Sequence, residues 1–167
     1  MLKYILNEYK AVTGRSSFTR AIYNYCFNNS FAVLCKIRRI LSVNNRIIRN
    51  MMIQRLERRY SVKIGANIKL GKNFKIHHPA GIVIGDRAVI GDNCEIFHQV
   101  TIGHKNNKYP SIGNNVIMYP GCKIIGDIKV GDHAVIAPNT VVIKDVPDGA
   151  VVSGVPGRII KMRTDFE

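Results

Sequence analysis

A chain of 167 residues with 46% apolar and 22% charged residues can bury one core but is too short for several domains, and its formal net charge of +14 is high for an ordinary soluble protein. The charge is lopsided: residues 1–60 carry twelve Lys/Arg against Glu8 and Glu57, a net of +10, and residues 61–167 carry thirteen against nine acids, a net of +4. Apolar runs such as Phe31–Cys35 are broken by Lys36, Arg38 and Arg39, far short of the ~18 residues needed to span a bilayer; no segment reads as a cleavable signal, and no nucleic-acid-binding signature accompanies the basic charge.

In chain order, residues 2–11 read as a lead-in helix and residues 17–59 as one or two further helices. Ser30–Tyr60 lacks Gly and Pro, and Ile37, Ile40, Leu41, Ile47, Ile48, Met51, Met52 and Leu56 recur at helical spacing with basic residues between them. Residues 1–60 are therefore expected to form a helical cap, and residues 61–167 a second unit with a short C-terminal tail. The basic side of the cap is expected either to be a solvated face or to lie against an anionic membrane surface.

From Ile84 the chain repeats in sixes: IGDRAV, IGDNCE, IFHQVT, then IGH, and after an excursion IGNNVI, MYPGCK, IIGDIK, VGDHAV, IAPNTV and VIKDVP. An aliphatic residue recurs at 84, 90, 96, 102, 112, 118, 124, 130, 136 and 142. Four residues after each stands a small or modest side chain, namely Ala88, Cys94, Val100, Val116, Cys122, Ile128, Ala134, Thr140 and Val146. An earlier frame, Ile64, Leu70 and Ile76, is offset by two. A period of six is neither helical nor a simple strand alternation. It fits a triangular solenoid in which each face is a short strand and each corner a Gly, Asn or Asp turn, stacked through about five coils over residues 62–155.

Two breaks interrupt the period. Between Ile76 and Ile84 the step is eight, which makes His77–Gly81 a bulged corner; between Ile102 and Ile112 it is ten, so about four residues loop out within His104–Ser111. Irregular corners of a repeat array are where binding chemistry is placed. Asp86, Asp92, Asp127 and Asp132 follow Gly at or beside corners and are explained by turn chemistry, as is His133. Cys26, Cys35, Cys94 and Cys122 have no paired or CxxC spacing, which suits reduced thiols in a cytoplasmic protein.

The run HHPAGIVIGDRAVIGDNCEIFHQVTIGH (77–104) and the ending DVPDGAVVSGVPGRII (145–160) resemble the hexapeptide-repeat acyltransferases, most closely the serine acetyltransferases and the related enzymes that O-acetylate capsule or exopolysaccharide sugars. The resemblance implies a left-handed parallel β-helix, a homotrimer with sites in the grooves between subunits, and acetyl-CoA as co-substrate with no metal. His78 matches the family's catalytic histidine, a general base for an acceptor hydroxyl in a ternary complex. His77, His98, Lys108 and Tyr109 are the candidate acceptor-binding residues. His104 is expected to line the same groove as His77 and His98. Gly103, His104, Pro120 and Pro138 are candidates for the pantetheine arm of CoA, and Lys144 and Arg158, with Lys161 and Arg163 nearby, for its phosphates.

A sugar hydroxyl of a capsule, exopolysaccharide or O-antigen is the expected acceptor. In serine acetyltransferases two acids meet the substrate ammonium; the matching positions here are Lys63 and His77, and the Arg-His-Pro that meets the carboxylate appears as Lys108-Tyr109-Pro110. The alternative is serine O-acetylation for cysteine biosynthesis. A more distant one is a zinc lyase of the γ-carbonic anhydrase kind, for which the spacing of His98 and His104 is wrong; a non-catalytic scaffold is the remaining reading. A cytoplasmic protein, peripheral on the inner face of the membrane through its basic helices, is the expected setting.

Overall fold

The computed structural model describes residues 2–164. Four helices come first: α1 (Leu2–Thr13), α2 (Phe18–Phe27), α3 (Asn29–Leu41) and α4 (Arg46–Tyr60). The sequence predicts one or two helices over 17–59, and three are present. The extra breaks are asparagine-made: the Asn28 side chain accepts from Phe31 N–H, and the Asn45 side chain accepts from the N–H groups of Ile47 and Ile48. Each satisfies donors that a helix start leaves open, so a new helix begins there without Gly or Pro.

Short strands follow: β1 (Val62–Ile64), β2 (Lys69–Leu70), β3 (Lys75–Ile76), β4 (Ile82–Ile84), β5 (Val89–Ile90), β6 (Glu95–Ile96), β7 (Thr101–Gly103) and β8 (Ser111–Ile112). Then come β9 (Ile117–Met118), β10 (Lys123–Ile125), β11 (Lys129–Val130), β12 (Val135–Ile136), β13 (Val141–Val142), β14 (Ala150–Ser153) and β15 (Arg158–Met162). They form three parallel sheets, β1-β4-β7-β10-β13, β2-β5-β8-β11 and β3-β6-β9-β12-β14, the walls of a parallel β-helix of about five turns. The tail after Gly157 is not loose: β15 turns back and pairs antiparallel with β14.

Register explains the spacing of the aliphatic residues. One column runs Ile64, Ile84, Ile102, Ile124, Val142; a second Leu70, Ile90, Ile112, Val130; a third Ile76, Ile96, Met118, Ile136, Val152. The step from Ile64 to Ile84 is twenty rather than eighteen because the bulged corner adds two residues, so the two sequence frames are one column. The small residues four places on also point inward and are buried, except Ile128, which is half-buried. No strand exceeds five residues among those described, and the stack as a whole buries the core.

The same core continues into the helices. Val33, Leu34, Ile37, Ile40 and Leu56 pack with Val62, Ile64 and Phe74, so α3 and α4 close the open first coil. Arg38 of α3 fixes this contact: its guanidinium donates to the carbonyls of Leu70 (2.6 Å) and Gly71 and pairs with Glu8 of α1 at 3.1 Å. The apolar residues at the start of α4 do not join the core as their spacing suggests. Ile47 and Met51 are 72% and 65% exposed, Ile48 is also exposed, and only Leu56 of this helix is fully buried.

Candidate functional site

At the corner that links the six-stranded sheet to the five-stranded one, each coil needs a residue in the left-handed region. Gly121 (φ 72°) and Asn139 (φ 55°) supply it in later coils and Gly81 (φ 66°) and Gln99 (φ 58°) in earlier ones, while the bulge of the first coil adds a second left-handed residue, His78 (φ 54°). Left-handed backbone is costly for most side chains, though His, Asn and Asp tolerate it better than β-branched residues. The bulge holds His78 there: Ala80 N–H donates to the His78 carbonyl at 2.8 Å, and Gln99 N–H donates to the Ala80 carbonyl at 2.7 Å. The result is an exposed imidazole on a fixed backbone.

The coil above brings His98 to it, with ring centroids 6.2 Å apart and planes at 74°. Pro120 and Pro138 continue the same corner upward, linked by the bonds Gly121 N–H to His98 C=O and Asn139 N–H to Pro120 C=O. The Nδ1 atom of His98 is buried and has no hydrogen-bond partner among the described residues.

His77, just before His78, is held from two sides. Its ring stacks on Phe97 at 4.5 Å, and Phe97 stacks on Tyr119 at 5.3 Å, a ladder of rings along the sheet. Its Nε2 lies 3.0 Å from a Glu95 oxygen whose carboxylate also accepts from Lys75 at 2.8 Å. Burial alone would raise the Glu95 carboxyl, but hydrogen bonds from Lys75 and His77 hold it below the usual carboxylate range. Glu95 carries no sequence signal as a site residue, because its hexad position is an ordinary outward one.

His77 and His78 also edge a cavity of about 300 Å³ between the helices and the first coil, lined further by Tyr9, Thr13, Asn24 and Asn28. The helices thus wall one side of the histidine corner. That role is invisible in the repeat pattern, because it depends on how the cap docks.

The remaining candidates sit elsewhere. Gly103 ends β7 and His104 follows it, so both lie across the five-stranded sheet from the His78 corner, not in line with Pro120 and Pro138. His104 and Tyr109 form a second cluster there, ring centroids 5.1 Å apart, on the excursion closed by the Lys105–Lys108 bridge. Tyr109 fills the space over Gly85, where a Cβ would meet the ring at 2.6 Å. Lys108 pairs with Asp127 at 2.7 Å. The expected shared groove of His77, His98 and His104 is therefore not formed within one chain, because one strand of the solenoid separates the two corners. Lys144 is exposed beyond β13, and Arg158 is exposed in β15.

Lys63 is paired with Glu57 at 3.6 Å. Asp86, Asp92 and Asp132 accept from backbone N–H groups of neighbouring turns, as turn residues do. Cys35, Cys94 and Cys122 are buried free thiols, which burial pushes up to about 12, about 11 and about 12, and Cys26 is exposed. No three metal-ligating side chains converge among the described residues.

Residues 109–144 match the bacterial transferase hexapeptide (six repeats) family. The chain is similar to the serine acetyltransferase of Staphylococcus epidermidis, with 39% identity over 71% of this chain and 58% of that protein. It spans, in other words, under two thirds of that relative's length. Its fold is similar to that of a serine acetyltransferase from Brucella abortus, with a TM-score of 0.82 and 28% identity over 96% of this chain and 68% of the other. A structure of the serine acetyltransferase from the same organism in complex with coenzyme A superposes with a TM-score of 0.81 at 28% identity, over 96% and 66% of the two chains.

Proposed function

We propose that this hexapeptide-repeat chain, which resembles the serine acetyltransferases, transfers an acetyl group from acetyl-CoA to a hydroxyl acceptor with His78 as the general base. The observation that carries this reading is the His78 corner: an exposed imidazole on a backbone held in the left-handed region at the bulge of an otherwise regular solenoid. A hydroxyl attacks a thioester poorly until its proton is removed, and imidazole titrates in the range where it can take that proton and give it up again. The acceptor oxygen bonds to the carbonyl carbon while His78 takes its proton. The carbon–sulfur bond then breaks, and the CoA thiolate leaves and receives the proton. The coenzyme A complex of the similar Brucella abortus protein supports acetyl-CoA as donor. Gly103, His104, Pro120, Pro138, Lys144 and Arg158 remain the candidate CoA contacts. Their separation across the five-stranded sheet supports a groove completed by a neighbouring copy in a homotrimer.

The similarity to serine acetyltransferases supports L-serine as acceptor. A sugar hydroxyl is a second reading, and a specific observation favours it. The ammonium of serine needs an uncompensated acid, yet Glu95 beside His77 is already engaged by Lys75 and His77, and Lys63 stands on the first coil where an acid would serve. Burying an ammonium without a partner is costly, whereas the ring edges of His77 and Tyr109 suit hydroxyl groups. Competition decides it: acetyl-CoA is supplied with L-serine, nucleotide sugars and capsule oligosaccharides together, and the acetylated product is identified. Exclusive O-acetylserine formation removes the sugar reading; acetylated sugar with untouched serine removes the other.

A further inference from the structure

The four helices contain a second cleft, away from His78 and unused by the chemistry above. It has a volume of about 280 Å³ and is floored by Ile5, Ile40, Met52 and Leu56. Its rim carries Lys36, Arg39, Arg55 and Arg59, and no carboxylate lines it among the described residues. Phenols rather than acids engage two of these cations. Lys36 Nζ donates to Tyr25 Oη at 3.1 Å and lies over the Tyr25 and Tyr60 rings, and Arg59 Nε donates to Tyr60 Oη at 3.3 Å. Phenols leave the positive charge in place. Burial would raise the Tyr60 phenol, yet the hydrogen bond from Arg59 and the nearby Lys36 charge hold it below its ordinary value.

The cleft is continuous with the outer face of α4. Arg55 and Arg59 also line a shallow depression with Met51, Gln54 and Arg58. On a helix, Ile47, Met51, Arg55 and Arg58 share one face, and Ile48 lies beside it. That face is apolar in its first half, with Ile47, Ile48 and Met51 exposed, and basic in its second half. Exposed apolar side chains beside clustered arginines suit one partner chemistry: an anionic phosphate head with apolar chains behind it.

We propose that α4 and the cleft behind it seat the protein on an anionic phospholipid bilayer, with lipid phosphate at Lys36, Arg55 and Arg59 and with Ile47, Ile48 and Met51 entering the acyl boundary. Among the described residues no helix is long and apolar enough to cross a membrane.

The test is co-sedimentation of the full chain with vesicles of phosphatidylcholine alone or mixed equally with phosphatidylglycerol. Binding is expected to the mixed vesicles and not to the neutral ones. Arg55→Glu with Arg59→Glu should lower partitioning by about tenfold or more, since each basic side chain near an anionic surface adds to attraction. Met51→Ser with Ile47→Ser should remove the binding that survives at physiological salt. Lys69→Glu with Arg87→Glu, an equal charge reversal on exposed solenoid positions, should leave binding intact. Failure to bind mixed vesicles, or equal loss in the solenoid control, overturns the proposal. Loss of binding accompanied by a changed oligomeric mass overturns it too, because the face is then a subunit contact. Binding to duplex DNA in place of vesicles would assign the charge to nucleic acid instead.

Discussion

Arg38 does more than a charged residue on a helix usually does. It sits 17% exposed against Glu8 at 15% and caps two carbonyls of the first coil. Burial pushes the Glu8 carboxyl above its ordinary 4.5, although Arg38 opposes this. A raised carboxyl contributes its stability below the unfolded value and loses it as pH climbs through the folded one. Removing Arg38 raises Glu8 further, so Arg38→Met should cost on the order of 3 kcal/mol at pH 7 and distinctly less near pH 4.5. Urea unfolding at the two pH values reads this, and an equal cost at both would contradict it. Thr140 makes the opposite case. Its hydroxyl is fully buried with no hydrogen-bond partner among the described residues, at a hexad position that Val fills elsewhere as Val100 and Val116. Thr140→Val should therefore stabilise by about 1 kcal/mol, seen as a raised urea midpoint; a lowered midpoint would mean the hydroxyl has a partner.

At the scale of elements, the coils were legible because burial recurs on a fixed period and the core takes one aliphatic residue per face. Each such residue touches the coil above and below, so Ile102→Ala in the middle of its column should cost about 2–5 kcal/mol. A loss below 1 kcal/mol would show that the coils are not a continuous stack. The bulge and the excursion were legible for the same reason, as departures from the period. The helix breaks at Asn28 and Asn45 were harder to read, because an asparagine cap competes with a continuous apolar pattern and only geometry says which wins. The start of α4 misled for a related reason: apolar spacing cannot distinguish a face turned to the core from one turned outward. Site residues divided in the same way. His78 stood out by its place in an irregular corner, whereas Glu95 reaches the adjoining His77 only through coil stacking, and Tyr9 and Asn24 line the neighbouring cavity only through cap docking.

For the whole molecule, the two clusters on opposite edges of the five-stranded sheet are the main consequence. If the proposed groove between copies brings the His104–Tyr109 corner of one chain to His78 of another in a homotrimer, light scattering should give close to three times the chain's 18.7 kDa. A monomer with full activity would contradict the shared groove. The measurement that bears most directly on function is the initial rate of CoA release from acetyl-CoA with a hydroxyl acceptor, for the wild-type chain and for His78→Ala in parallel. The acceptor is whichever of L-serine and the sugars supports turnover. Wild-type protein should release CoA only with acceptor present, and His78→Ala, unchanged in oligomeric mass, should be slower by about 10²–10⁴-fold. Near-normal release by the variant, or no acceptor-dependent release by the wild type, would contradict acetyl transfer by His78.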